Sequence, residues 1–276
     1  MQTLEAVYRT AAQTLDRVDA RWIICHLCKV SHAELLTQGN RSVSASEFRR
    51  ISQWVARRKN GEPLAYLLGE AGFYGRIFKV SPAVLIPRPE TEDLVSHALK
   101  WIAQTESPRI LDLGTGSGAI AITLALERPD ARVLGTDISM DALMVARSNA
   151  ARLNAKVHWR QGDWFKALRG HPRFDLIVSN PPYIAANDPH LSGDGVCVEP
   201  QLALTDGGDG LNCLRLLTAG AGSFLSKGGG LLLEHGYDQG QACRSLLEEA
   251  GFINAFTHQD LAGHDRISGG RLSPQF

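Results

Sequence analysis

Apolar side chains recur at helical spacing near the start of the chain. Leu4, Val7, Tyr8, Ala11, Ala12 and Leu15 lie three or four apart, and WIICHLCKV (22–30) continues an apolar helical face. No Gly or Pro interrupts residues 1–38, which favours helix over strand. Ser44 or Ser46 predicts the cap of a further helix running through Phe48, Ile51, Trp54 and Val55. The pattern changes at Gly61. GEPLAYLLGEAGFYGRIFKV (61–80) has short apolar runs broken by Gly69, Gly72 and Gly75, and reads as a β-hairpin linker. VLIPRPETEDLV (84–95) then places two prolines before a helix that starts near Pro89–Thr91.

From Arg109 strands and helices alternate. RILDLG, ARVLGTD, VHWRQGD, FDLIVSNPP and GGLLLEHG read as strands. GAIAITLALE, MDALMVARSNAARL, LNCLRLLTAGAGSFL and QACRSLLEEAGF read as the helices between and after them, and FINAFTHQD and RISGGRL as two final strands. Such alternation predicts an α/β domain, a parallel sheet covered on both faces. The expected division is a helical domain over 1–75, a linker over 76–90 and an α/β domain over 91–276.

Composition narrows the class. At 276 residues with 44% hydrophobic side chains, the chain is long and apolar enough to build a core without disulfides or metal. Lys+Arg and Asp+Glu are both 29, so a protein held mainly by nucleic-acid phosphates is disfavoured. The charge is uneven, however: residues 1–60 carry ten basic and five acidic side chains, which suggests two modules with different surfaces. Five scattered cysteines are not a disulfide framework and suit a reducing compartment. The first residues, MQTLEAVYRT, show no signal-peptide pattern, and apolar runs such as AIAITLAL (119–126) are far short of a membrane span. A soluble cytoplasmic protein with no membrane association is expected.

Two segments carry candidate chemistry. ILDLGTGSGA (110–119) ends a strand, turns on three glycines and opens a helix. Glycine admits positive φ and close backbone approach, and the carboxyl end of a strand is where open α/β sheets bind ligands. Asp137 ends the next strand, where a carboxylate can accept both hydroxyls of a ribose. Taken alone, the loop fits a dinucleotide fingerprint with Ala119 last and fits an S-adenosylmethionine (SAM) loop equally. Asp112 beside it is expected to hydrogen-bond loop amides.

SNPPYI (179–184) leaves the apolar strand FDLIV. Two prolines fix φ and supply no N–H, so the carbonyls of the turn are rigid and lack neighbouring donors. Asn180 adds a side-chain carbonyl and Tyr183 a flat ring. This set suits a planar –NH2 conjugated with a π system: the Asn180 oxygen and the Pro181 carbonyl accept its two hydrogens, and Tyr183 packs on its plane. Two acceptors would draw density to the nitrogen and aim its lone pair, which is catalysis by orientation and electrostatics.

DLGTGSG with NPPY resembles the Rossmann-like class I SAM-dependent methyltransferases that modify conjugated amino nitrogens. Such turns serve both adenine N6 and glutamine N5 methylation, so other segments must decide. GEPLAYLLGEAGFYG (61–75), VLIPRPETEDLV (84–95), GDWF (162–165), VEPQLAL (198–204), DGLN (209–212), LLLEHG (231–236) and DRISGGR (265–271) resemble the release-factor glutamine N5-methyltransferases, the PrmC/HemK family. The resemblance covers nearly the whole chain. It implies a small all-helical N-terminal domain joined by a β-hairpin to the methyltransferase domain. It also implies methyl transfer from SAM to the glutamine amide of the GGQ motif in peptide-chain release factors. A ribosomal-protein glutamine or a nucleic-acid adenine is the alternative acceptor.

The same resemblance implies that Gly114, Thr115, Gly116, Ser117 and Gly118 enclose SAM, that Asp137 binds its ribose, and that Asp163 and Trp164 flank its adenine. Asn180 would lie near the methyl donor as well, and Asn180, Pro181, Pro182 and Tyr183 would hold the glutamine, with Asn180, Pro181 and Tyr183 as the catalytic set. Glu199 and Pro200 are placed in a loop that closes over the substrate. Arg88 and Glu90 are read as ordering the linker, as an ion pair or a helix start. Glu234 and His235 are expected to support the site rather than act on substrate. Cys25-x-x-Cys28 has metal or redox spacing but no second ligand pair, so core packing is expected and no metal site.

Overall fold

The computed structural model describes residues 2–168, 170–193 and 195–274. The chain divides into two compact units. One runs to Glu70 and includes Ser192–Val198; the other comprises Ala71–Leu191 and the chain from Glu199 onward.

The first unit is helical apart from one short strand pair. Strand β1 (Gln2–Thr3) pairs antiparallel with β2 (Ser42–Val43), and between and after them lie α1 (Leu4–Ala12), α2 (Arg17–Cys28), α3 (His32–Thr37) and α4 (Ala45–Lys59). Ser44 is the cap of α4. Its hydroxyl accepts from the Glu47 N–H while the Glu47 carboxylate takes the Ser44 N–H, so two end groups are satisfied reciprocally. Cys25 and Cys28 are free thiols buried in the core of this unit with Leu4, Ile23, Ile24 and Ile51. Burial pushes the Cys28 thiol up to about 11, which leaves it protonated and unreactive.

The hairpin begins later than the glycine pattern suggests. Leu64–Leu68 forms α5, entered at Pro63, whose φ of −56° suits a helix start, and ended by Gly69 at φ 74°. Tyr66 and Leu67 are the buried face of that turn, so helical spacing overrides the β reading there. The hairpin proper is β3 (Glu70–Phe73) with β4 (Arg76–Lys79).

The second unit carries α6 (Thr91–Trp101), β5 (Arg109–Leu113), α7 (Ala119–Glu127), β6 (Arg132–Asp137), α8 (Met140–Leu153), β7 (Val157–Gln161) and β8 (Phe174–Ser179). It continues with α9 (Gln201–Leu204), α10 (Asn212–Ala221), β9 (Leu225–Glu234), α11 (Gly240–Glu249), β10 (Phe252–Gln259) and β11 (Asp265–Leu272). Seven of these strands form one sheet in the order β10-β11-β9-β8-β5-β6-β7. Strands β6, β5, β8 and β9 run parallel to their β-neighbours of this set, whereas β11 is antiparallel to both β9 and β10.

Both faces of the sheet are buried, and side chains alternate between them. Ile110, Leu176, Val178 and Leu232 join the core with α6 and α7, while Leu111, Leu113, Ile177, Leu231 and Leu233 join that with α10 and α11. This explains why the strands read as continuous apolar runs. Chain order reverses between β5 and β8, which opens a crevice at their carboxyl ends. Among the described residues no helix is long and apolar enough to cross a membrane.

Candidate active site

A cavity of about 360 Å³ lies at this reversal, lined by the glycine loop, the end of β6, the Asn180 turn and residues of the 83–91 segment. One wall is backbone. Gly114, Gly116 and Gly118 all take positive φ (72°, 55° and 81°), so the loop folds back over the head of α7 as only glycine readily allows. Gly114, Thr115, Gly116 and Ser117 line the cavity. Gly118 does not; it is the N-cap of α7, where a Cβ would come within 2.9 Å of Ile122 and 3.0 Å of Trp159. Its smallness seats the helix rather than the ligand.

Two carboxyls shape the loop. Asp112, fully buried in β5, accepts from the Thr115 hydroxyl at 2.5 Å and from the Ala121 N–H at 3.2 Å. Burial still pushes it up to about 7 against those donors, and its Oδ1 finds no partner among the described residues. Asp137 lines the cavity at the end of β6. Its Oδ2 accepts from the Gly116 N–H and its Oδ1 from the Ser139 N–H, both at 2.9 Å. Each oxygen has a second lone pair, so the fixed carboxylate retains acceptor capacity toward a diol. Asp163 and Trp164 lie on the same wall, with Asp163 paired to Lys166 at 2.6 Å and Trp164 held at φ 46°.

The opposite wall is built from side chains. Ser179 donates to the Leu113 carbonyl at 2.6 Å and ties the ends of β5 and β8 together just before Asn180. Asn180 and Pro182 line the cavity; Pro181 is buried and Tyr183 half-buried, and neither contributes to this wall. The Asn180 Nδ2 donates to Thr91 Oγ1 at 3.1 Å, so the nitrogen is the end of the amide engaged with the start of α6. The Tyr183 carbonyl accepts from Gln239 Nε2 at 2.9 Å, and burial pushes the phenol upward, with the Glu234 carboxyl adding to the shift. Gly210 packs under the turn: a Cβ there would lie 2.5 Å from the Tyr183 carbonyl oxygen. That close approach accounts for the glycine of the DGLN segment.

Sequence reasoning left several contributors without a firm role. Ala83, Val84, Leu85, Pro87 and Arg88 line the cavity, as do Pro200, Leu202 and Ala203 of the segment after the turn. The two segments are clamped to each other. Arg88 Nη2 pairs with Glu199 Oε1, and Glu199 Oε2 accepts from the Ile86 N–H at 3.0 Å. Glu199 is buried at 4% exposure, so this is a link inside the fold rather than a surface pair. Glu90, by contrast, is exposed and precedes α6. Thr91 had no signal of its own; it emerges only because α6 begins beside Asn180. His235 is structural: Nδ1 lies 2.8 Å from the Gly236 carbonyl, which only accepts, so that nitrogen carries the proton, and Nε2 takes the Ser268 hydroxyl at 2.8 Å.

The sheet order, the glycine loop and the carboxylate at the end of the second parallel strand define a Rossmann-like methyltransferase domain. The family model for the methyltransferase small domain matches residues 91–211, and that for the PrmC N-terminal domain matches residues 4–69. The release factor glutamine methyltransferase of Neisseria gonorrhoeae is 49% identical over 258 residues, covering 93% of this chain and 94% of its own. That of Vibrio cholerae is 44% identical over 281 residues, covering 99% and 98%. A methyltransferase from Pyrococcus furiosus shares the fold at a TM-score of 0.54 and 18% identity, over 80% of this chain and 99% of that one. The chain belongs to the release factor glutamine methyltransferase family.

Proposed function

We propose that the protein transfers a methyl group from SAM to the side-chain amide nitrogen, N5, of the glutamine in the GGQ motif of peptide-chain release factors. The observation that carries this reading is the orientation of Asn180. Its amide nitrogen is engaged with Thr91, which leaves the carbonyl oxygen as the end available to a substrate –NH2, in a residue that lines the cavity. The turn that follows has no N–H at Pro181 or Pro182. Acceptors without competing donors suit the –NH2 of a primary amide.

The loop residues fit SAM. Gly116 leaves open space where a Cβ would stand, the Asp137 oxygens suit a ribose diol, and Trp164 offers an aromatic edge beside Asp163. Gly114, Thr115, Gly116, Ser117, Asp137, Asp163 and Trp164 would hold it, with Asn180 adjoining. Bound there, SAM supplies a methyl group activated by a sulfonium. The chain's own part is to place the nucleophile. Asn180 Oδ1 accepts one amide hydrogen at the cavity wall, the Pro181 carbonyl, just behind that wall, is assigned the other once the glutamine enters the turn, Pro182 and Tyr183 complete the turn, and the nitrogen lone pair is aimed. The Arg88–Glu199 clamp holds together two segments that line the cavity. Residues 1–75 are assigned to recognition of the release factor outside its GGQ loop, residues 76–90 to the linker and 91–276 to transfer. The PrmC N-terminal match supports the first assignment. The reaction is placed in the cytoplasm, with no direct nucleic-acid substrate and no membrane.

The test uses methyl-labelled SAM with four acceptors in parallel: a release factor, the same factor with its GGQ glutamine replaced, a ribosomal protein mixture and adenine-rich DNA. Label on the intact factor alone is expected. Equal label on both factor forms, or label on DNA, overturns the reading.

A further inference from the structure

Glu234 is the last residue of β9 and lies beside the Asn180 turn, since Ser179 of β8 is in register with Leu233. It is 1% exposed, and its Oε2 has no hydrogen-bond partner among the described residues. The side chains of Thr91 and Asn180 both favour its ionised form. The charged neighbours are Arg266, on the strand paired with β9, and Glu90, ahead of α6; Tyr183 feels Glu234 in turn, together with Arg88. Arg266 is itself paired with Asp260 at 3.2 Å, so the buried carboxyl has a cation nearby but not one of its own.

The proton count in this cluster decides which end of the Asn180 amide faces the cavity. A threonine hydroxyl carries one hydrogen, and a carboxylate only accepts. With Glu234 ionised, Thr91 gives its hydrogen to the carboxylate. Its oxygen is then left as an acceptor, and a carboxylate oxygen is also open to the Asn180 amide. Both groups demand the nitrogen of Asn180, so Oδ1 points to the cavity. With Glu234 protonated that demand is released: the acid O–H can donate to Thr91, and the threonine hydrogen is then available to the Asn180 oxygen. The amide then turns its oxygen inward and presents –NH2 outward. A donor would face the substrate –NH2, and the two repel.

We propose that the Glu234 carboxylate, acting through Thr91, is the positioning residue that holds the carbonyl end of Asn180 toward the substrate amide. This rests on the glutamine transfer proposed above. The buried setting makes the device titratable: burial outweighs the Thr91, Arg266 and Asn180 contributions and pushes the Glu234 carboxyl up to about 7. The required form is the ionised one, so transfer falls as pH drops through that value.

The experiment pairs a measurement on the free protein with one on turnover. In the full-length protein labelled with ¹⁵N-asparagine, the Asn180 side-chain –NH2 signal, assigned by its loss in Asn180→Asp, is followed from pH 5.5 to 8.5. An inflection near pH 7 is expected in the wild type and none in Glu234→Gln. Single-turnover transfer to a release factor at saturating SAM is then followed over the same range. The wild-type rate should fall about tenfold per unit below pH 7, one proton being involved. Glu234→Gln should be slower by roughly 10²-fold at pH 8 and lose that limb, Glu234→Asp should keep the limb, and Thr91→Val should be slowed without it. A flat Asn180 signal in the wild type, or a folded Glu234→Gln with wild-type rate and profile, overturns the proposal. If Glu234→Gln does not fold, Thr91→Val and the wild-type titration decide. If the wild type labels no release factor, the substrate reading fails, and the Asn180 titration still tests the link to Glu234.

Discussion

The two walls of the cavity are made differently. The loop wall is backbone: the positive-φ Gly114 and Gly116, with the Gly116 amide anchored on Asp137 and the Ala121 amide of α7 on Asp112. Its partners lie within about one βαβ unit of sequence. The turn wall is a set of side chains from distant segments: Asn180 with Thr91, 89 residues away, and Glu199 with Arg88, 111 residues away. A backbone wall grips by shape and fixed dipoles. A side-chain wall can be aimed, and its aim depends on the protonation of buried neighbours. The first suits holding a cofactor, the second suits setting a nucleophile.

Substitutions that strike one wall and spare the other should separate binding from transfer. The largest effect belongs to Asn180→Ala. Removing one oriented acceptor should lower kcat roughly 10²–10³-fold, as loss of a single preorganised hydrogen-bonding group does elsewhere. SAM affinity, measured calorimetrically, should change far less; an equal loss in both would dissolve the division between walls. Arg88→Ala leaves the Glu199 carboxylate buried with the Ile86 amide as its one remaining hydrogen-bond partner among the described residues, which should cost about 3 kcal/mol in urea unfolding. Adding Glu199→Gln should recover much of that loss, because the uncompensated charge is gone. Failure of the second change to help would mean the clamp acts by packing alone. Asp137→Asn strikes the loop wall. Its amide can no longer accept at both oxygens, so SAM should bind roughly 10–100-fold more weakly while kcat at saturation stays near the wild type.

The difference between the walls also explains what the sequence disclosed. The alternating elements, the loop and the turn follow from local rules of periodicity, glycine conformation and proline chemistry, so strands β5 to β9 and Asn180 stand where the pattern put them. Helix α5 was missed because three closely spaced glycines outweighed two buried positions, Tyr66 and Leu67, in a run only five residues long. The antiparallel insertion of β11 between β9 and β10 is a pairing choice that no local pattern encodes. The Gly118 contact with Trp159 and the Thr91–Asn180–Glu234 cluster arise from tertiary packing. A threonine at a helix start and a glutamate at a strand end carry no special spacing, so their chemistry becomes visible only once α6, β8 and β9 meet.

The smallest expected effect is the sharpest test of the comparison, because it uses two buried acids raised to the same range. Asp112 and Glu234 are both pushed up to about 7 by burial, one under each wall. An acid whose folded-state pKa is raised binds its proton more tightly when folded than when unfolded. Stability from such a group is present at low pH, declines as pH rises from the ordinary carboxylate range to about 7, and is level above. Asp112→Asn and Glu234→Gln should therefore each flatten the fall of unfolding free energy between about pH 4 and 7, read by urea midpoints at half-unit steps. Only Glu234→Gln should also erase the limb in the transfer rate, since the hydrogen bonds of Asp112 run to Thr115 and the Ala121 amide, on the loop side. If Asp112→Asn removed the rate limb, the titrating group that governs transfer would lie under the loop, and the aimed wall would be the backbone one.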